Sequence, residues 1–219
     1  MSLVHLIREP RDDPLGALIL NHGRGADEQD LHGLLDELDP DGRLLGVTPG
    51  APLTNVPPGG RHWYLVPRVG FPDPRTFADS YRLLTGFADG LLSDRGIGWD
   101  RTVIGGFSMG AVMSYAVGLG DGRPSPAAII ALSGFVPTVE GWRADLGPKR
   151  GLPVFVHHGR NDPIIDVGFA RQAKALLGDG GLEVEYLETG AGHWLPPELL
   201  PRLRDFVARA LGPASPEGE

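Results

Sequence analysis

TVIGGFSMGAVMSYAV, residues 102–117, changes character at its centre. The first part is β-branched and apolar, as a buried strand is, and the part after Ser108 has the small and apolar residues of a buried helix. Between them Gly106, Ser108 and Gly110 form G-x-S-x-G. A serine on so sharp a strand-to-helix turn takes a strained backbone, so the residues two before and two after it must lack bulk for strand and helix to approach. In a chain with 33 glycines the pattern alone could be an incidental serine in a glycine-rich turn, so its surroundings decide.

Outward from this turn, near-continuous apolar runs recur at 15–21, 44–48, 102–107, 127–132, 153–157 and 182–187, and residues 3–8 suit an antiparallel edge strand. Runs of this kind are the mark of parallel strands covered on both faces. Amphipathic segments separate them. In 74–92, Phe77, Tyr81, Leu84, Ala88 and Leu91 recur at helical spacing behind Asp73 as N-cap and Pro74 in the first helical position. Further helices are expected at 27–38, 111–119, 167–177 and 197–211. Strand-helix alternation of this kind predicts an α/β chain with an open, mostly parallel sheet and helices on both faces, and a ligand site outside the carboxyl ends of the strands. Two segments interrupt it, 49–73 and 137–150, and both are expected to be ordered loops beside the site. Residues 1–212 read as one domain, and 213–219, PASPEGE, as a frayed tail.

Composition narrows the chemistry. The hydrophobic fraction of 41% in 219 residues suffices for a sizeable core. A net charge of −8 disfavours a nucleic-acid partner, which needs a basic face. Without cysteine there is no disulfide, thiolate metal site or cysteine nucleophile. MSLVHLIREP has no secretory pattern and no later run reaches membrane-spanning length, so a cytoplasmic location is expected. Nothing in the pattern indicates an oligomeric state.

A serine hydroxyl is a weak nucleophile near neutral pH and needs a histidine base oriented by a carboxylate. In the strand-helix arrangement the order along the chain is serine, acid, histidine. Of seven histidines, His193 stands after Ser108 in a glycine-flanked loop between a strand and the last helix, in LEVEYLETGAGHWLPPE. His157 and His158 end a strand, where packing or hydrogen bonding explains them. The acid is Asp162 or Asp166 in HHGRNDPIID. Asp162 is favoured, because it comes first after the strand, and capping the next helix accounts for Asp166. An oxyanion hole needs two backbone N–H groups: Met109 follows the nucleophile, and Arg24 lies in the turn 22–25 after the first parallel strand. A plain turn there, with Asp27 capping a helix, is compatible with that role. No metal or cofactor is expected.

NHGRGADEQDL, GFSMGAVMS, ALSGFVP, HHGRNDPII and GAGHW, in this order, resemble the phospholipase/carboxylesterase family, in its bacterial carboxylesterase branch, whose relatives are the acyl-protein thioesterases. The resemblance covers essentially the whole chain. It implies an α/β-hydrolase fold with little or no lid, a triad at Ser108, Asp162 and His193, and oxyanion donors at Arg24 and Met109. Asn21 stands where the family usually has leucine, and Met109 where thioesterase members usually carry glutamine. A backbone donor tolerates either side chain, but the second departure weakens transfer of thioesterase specificity.

The expected activity is a carboxylesterase acting on small to medium acyl esters. A thioesterase or lysophospholipase, and a non-catalytic member binding acyl ligands or partners, are the alternatives. A perhydrolase would use the same triad. Trp63, Tyr64, Phe71, Met109, Phe135, Trp142 and Trp194 are candidates for the pocket, with Trp63 and Trp194 expected to border substrate. Arg24 and Arg160 would favour an anionic group.

Overall fold

The apolar runs become the strands of one sheet. The computed structural model describes residues 3–212, and the expected tail at 213–219 lies outside them. The strands are β1 (His5–Arg8), β2 (Gly16–Asn21), β3 (Leu44–Pro49), β4 (Thr102–Phe107), β5 (Ala128–Leu132), β6 (Pro153–Gly159) and β7 (Glu183–Thr189). They lie in the order β1-β3-β2-β4-β5-β6-β7. β1 is antiparallel to β3 and all other pairs are parallel. Every residue of β2, β3 and β5 is buried, so these strands have no polar face to write into the sequence.

The two faces are covered by different helices. α1 (His32–Leu38) and α5 (Leu200–Ala210) cover one, where Leu35, Leu203 and Phe206 pack on Leu18, Val103, Ile130 and Phe155. α2 (Pro74–Asp94), α3 (Met109–Leu119) and α4 (Gly168–Asp179) cover the other, over Ile19, Ile104, Ile129 and Val154. All residues of α3 are buried, which fits its lack of a polar stripe. α2 starts as its sequence dictates, with the Asp73 carboxylate accepting the Thr76 amide at 2.9 Å. No helix of the described residues is long and apolar enough to cross a membrane.

Two expectations need correction. The helix expected at 27–38 begins only at His32. Asp27 Oδ1 takes the amide of Gln29 at 2.9 Å, closing a local turn that competes with the helix. Segment 137–150 leaves the site. It runs back along α3 to that helix's far end, where Asp145 N donates to Leu119 O at 2.8 Å and Asp121 N to Arg143 O at 3.2 Å.

After β2 the chain crosses to β3 on one side, and β4 returns to pair with β2 on the other. The carboxyl ends of β2 and β4 therefore flank the point where strand order reverses, with Asn21 opposite Gly106. Such a point leaves a crevice between diverging loops.

Candidate active site

Ser108 stands between β4 and α3 with φ 54° and ψ −118°, a left-handed conformation that an L-residue adopts only when its surroundings impose it. The flanking glycines show what imposes it. A Cβ on Gly106 would lie 2.6 Å from the carbonyl oxygen of Asn21, and one on Gly110 would run into the same carbonyl. The Asn21 side chain reinforces the contact from below, since its Nδ2 donates to Ser114 Oγ at 2.9 Å and that hydroxyl donates to Gly110 O at 2.9 Å.

The structure brings His193 to this serine across 85 residues of chain and Asp162 to His193 across 31: Ser108 Oγ is 2.8 Å from His193 Nε2, and His193 Nδ1 is 2.6 Å from Asp162 Oδ2. The serine hydroxyl donates to Nε2, and the Nδ1 proton goes to the carboxylate. Asp162 Oδ1 accepts the amides of Ile164 at 2.8 Å and Ile165 at 2.9 Å. Burial alone would raise the Asp162 carboxyl, but these amides together with His193 outweigh it and hold the group below its ordinary range. Asp166 points elsewhere, its Oδ1 accepting the amide of Gly168 at 2.7 Å at the start of α4. His157 and His158 do not reach Ser108. His157 Nε2 lies 3.0 Å from Thr189 Oγ1, and burial pushes its imidazole down to about 4.

The turn after β2 packs close on the serine, and a Cβ on Gly23 would be 3.5 Å from Ser108 Cβ. His22, missed as a site residue by the sequence reading, supports this turn. Its Nε2 accepts the amide of Ala51 at 3.0 Å, so its Nδ1 carries the proton and donates to Gly23 O at 2.7 Å. Burial lowers its pKa and keeps it neutral. Arg24 and Met109 both line the cavity at Ser108. Their backbone N–H groups donate to no protein acceptor among the described residues. Unclaimed amides on either side of a nucleophile are what an oxyanion requires.

The cavity has a volume of about 360 Å³. Tyr64, Val66, Val69, Phe71, Met109, Phe135, Ile164 and Ile165 give it apolar walls, and Arg24, Asp30 and Arg68 add charge. One wall, residues 64–72, leans on α4: a Cβ on Gly70, at φ +84°, would lie 2.7 Å from the Phe169 ring, which itself packs on Phe135 with centroids 5.3 Å apart.

Among the aromatic candidates, Tyr64, Phe71, Met109 and Phe135 line the cavity, whereas Trp63, Trp142, Trp194 and also Arg160 do not. Trp63 is fully buried behind the 22–25 turn, donating from Nε1 to His22 O at 3.0 Å. Its bulk anchors a loop instead of bordering substrate. Trp194 is 51% exposed on the outer side of the His193 loop. Trp142 belongs to the segment that runs along α3 and packs edge-on to Phe77. Val66, Val69, Ile164 and Ile165 were missed because sequence marks aromatic loop residues more readily than aliphatic ones. Among the described residues no group of three or more histidine and acidic side chains could hold a metal ion.

Comparison with known proteins agrees with the fold. The model of the phospholipase/carboxylesterase family matches residues 4–211. The chain is 34% identical over 131 residues to acyl-protein thioesterase 1 of Neurospora crassa, a match covering 58% of this chain and 53% of that one, so that it spans about half of that relative. It is 29% identical to acyl-protein thioesterase 1 of Debaryomyces hansenii, over 74% of each chain. A Bacillus cereus carboxylesterase shares the fold with a TM-score of 0.83, at 20% identity over 95% of this chain and 94% of that one.

Proposed function

Since the chain belongs to the phospholipase/carboxylesterase family of α/β-hydrolases, we propose that it is a serine carboxylesterase which hydrolyses small to medium acyl esters, with residues 1–212 as a single catalytic domain in the cytoplasm. The observation that carries this reading is the unbroken chain of short hydrogen bonds from Ser108 through His193 to Asp162, next to two unclaimed amides.

In this mechanism His193 Nε2 takes the Ser108 proton as Oγ attacks the ester carbonyl carbon. Asp162 keeps the imidazole in its Nδ1–H tautomer and stabilises the imidazolium that forms. The carbonyl oxygen gathers charge as the tetrahedral intermediate develops, and the N–H groups of Arg24 and Met109 receive it. Such donors are worth about 3–4 kcal/mol each in comparable sites, because they are fixed before the reaction begins. His193 then hands its proton to the departing alkoxide, leaving Ser108 acylated. A water molecule, deprotonated by His193, releases the acid by the same steps in reverse. The apolar walls of the cavity suit the acyl chain, and a cavity of about 360 Å³ limits its size.

The names of the Neurospora and Debaryomyces relatives favour a second reading, a thioesterase, with the same residues acting on a sulfur leaving group. Fluorophosphonate labelling followed by peptide mapping should mark Ser108. A panel of nitrophenyl esters and acyl thioesters of graded length then separates the two readings. Labelling at any other residue would overturn both, and a higher kcat/KM for thioesters throughout the panel would overturn the first.

A further inference from the structure

His158 sits on β6 beside His157 and is fully buried. Its Nε2 lies 2.8 Å from Ile165 O and 3.3 Å from Asp162 Oδ2. Both neighbours are acceptors, so this nitrogen carries the ring proton. The other ring nitrogen, Nδ1, has no hydrogen-bond partner among the described residues although it is buried. Packing alone would be better met by an aliphatic side chain, which leaves no polar atom unpaired. The imidazole is engaged on one edge, and that edge faces the acid of the triad.

We propose that His158 is a positioning residue for the reaction: its Nε2–H, bonded to Ile165 O with Asp162 Oδ2 3.3 Å away, holds in place the turn and the carboxylate that orient His193. This rests on the triad reading above. Asp162 Oδ1 is already held by the amides of Ile164 and Ile165, and Oδ2 accepts from His193 while the N–H edge of His158 lies 3.3 Å away. Three donors and this polar ring edge around the carboxylate keep it from turning about its Cβ–Cγ bond. The same imidazole ties down the Ile165 carbonyl, and Ile165 also lines the cavity. One side chain thereby fixes the acid and the turn that presents it. The positive N–H edge of the imidazole beside Oδ2 also offsets its negative charge, so His193 meets a weaker partner than a carboxylate standing alone.

The test compares His158→Phe, which keeps a ring and removes the N–H, with His158→Gln, whose amide can donate to Ile165 O from the same place. Both are made in the wild-type and the Asp162→Asn backgrounds. Nitrophenyl ester kinetics are followed against pH, with thermal melting and fluorophosphonate labelling alongside. His158→Phe should lower kcat by about tenfold or more with KM little changed, since small misplacements at a reacting centre cost that much. It should move the acid limb of kcat/KM to higher pH, and His158→Gln should recover most of both effects. In the Asp162→Asn background the same change should cost little further activity. Equal losses in both backgrounds, or a lower melting temperature with kcat and the acid limb unmoved, would overturn the inference while leaving the triad intact. Should His158→Phe fail to fold, the inference stands if His158→Gln keeps the wild-type acid limb while the shorter His158→Asn shifts it, and falls if the two behave alike. A fully active Asp162→Asn enzyme would overturn the triad reading, and this one with it.

Discussion

The two flanks of the cleft are held by different kinds of bond. On the Ser108 flank the decisive features belong to the backbone: a left-handed serine, two glycines pressed on the Asn21 carbonyl, and free amides at Arg24 and Met109. On the other flank side chains make the decisive contacts: Asp162 bonds His193, and His158 bonds the turn that presents the acid. The first flank constrains volume and, at its amide donors, is indifferent to side-chain chemistry, which is why methionine can stand at 109. The second constrains donor and acceptor identity.

The largest effect should separate volume from chemistry on the first flank. Ser108→Ala removes the nucleophile without adding an atom, so ester hydrolysis should fall by about 10⁴-fold or more with the melting temperature near wild type. Gly110→Ala adds one methyl group where the Asn21 carbonyl stands. It should cost more than about 4 kcal/mol or prevent folding, as denaturant unfolding would register. A stable Gly110→Ala protein would break the comparison.

On the second flank, exchanging one oxygen for nitrogen should suffice. Asp162→Asn should lower kcat by about 10⁴-fold, because the amide favours the wrong histidine tautomer. Asp166→Asn should leave kcat within about twofold and change stability by about 1 kcal/mol or less, as expected for a residue at a helix start. Steady-state kinetics with calorimetry on the pair tests this, and reversed outcomes would reassign the acid.

Acid is where the flanks should behave alike, since a neutral buried histidine lies behind each: His22 under the 22–25 turn and His157 on β6. Burial lowers both. For His157 the folded-state value falls from 6.5 to about 4. As pH drops below 6.5 the unfolded chain takes up the proton first, so stability is greatest above that pH. It should decline by up to about 1.4 kcal/mol per pH unit towards pH 4 and then level off for this group. Asp162, held below its ordinary 3.8, acts lower: its contribution is present above that value and is lost as pH falls through the depressed one. Urea unfolding between pH 7 and 4 should show a shallower slope for His157→Gln than for wild type; equal slopes would place the acid sensitivity elsewhere.

The smallest effects concern the tryptophans. Trp194→Ala, on the exposed side of the His193 loop, should change KM for nitrophenyl esters by less than about twofold, because singly exposed apolar residues carry little. Trp63→Phe removes the bond to His22 O and should cost about 1 kcal/mol of stability. A large KM change in Trp194→Ala would return that residue to the substrate's surroundings.

These outcomes also explain what the sequence could and could not disclose. Parallel strands such as 102–107 and 128–132 are written as unbroken apolar runs, and capping at Asp73 and Pro74 writes the start of α2. The residues that meet at the cleft were legible because their spacing in the chain follows a strand order. Burial behind a site, as opposed to within it, has no such signature. Trp63 and Tyr64 are neighbours in one loop, yet one anchors the 22–25 turn and the other lines the cavity. Segments 49–73 and 137–150 share a glycine- and proline-rich texture, but the second follows α3 away from the cleft through long-range backbone pairing that composition does not encode.

The wall formed by residues 64–72 has a consequence for how such a molecule can diversify. It is one contiguous stretch of chain, it lines the cavity, and it rests on α4 through Gly70 and Phe169 without lending a group to the chain of bonds at Ser108. Drift or recombination within those few residues could therefore re-cut the pocket while the reacting atoms stayed where they are, so long as the glycine that seats the stretch is kept.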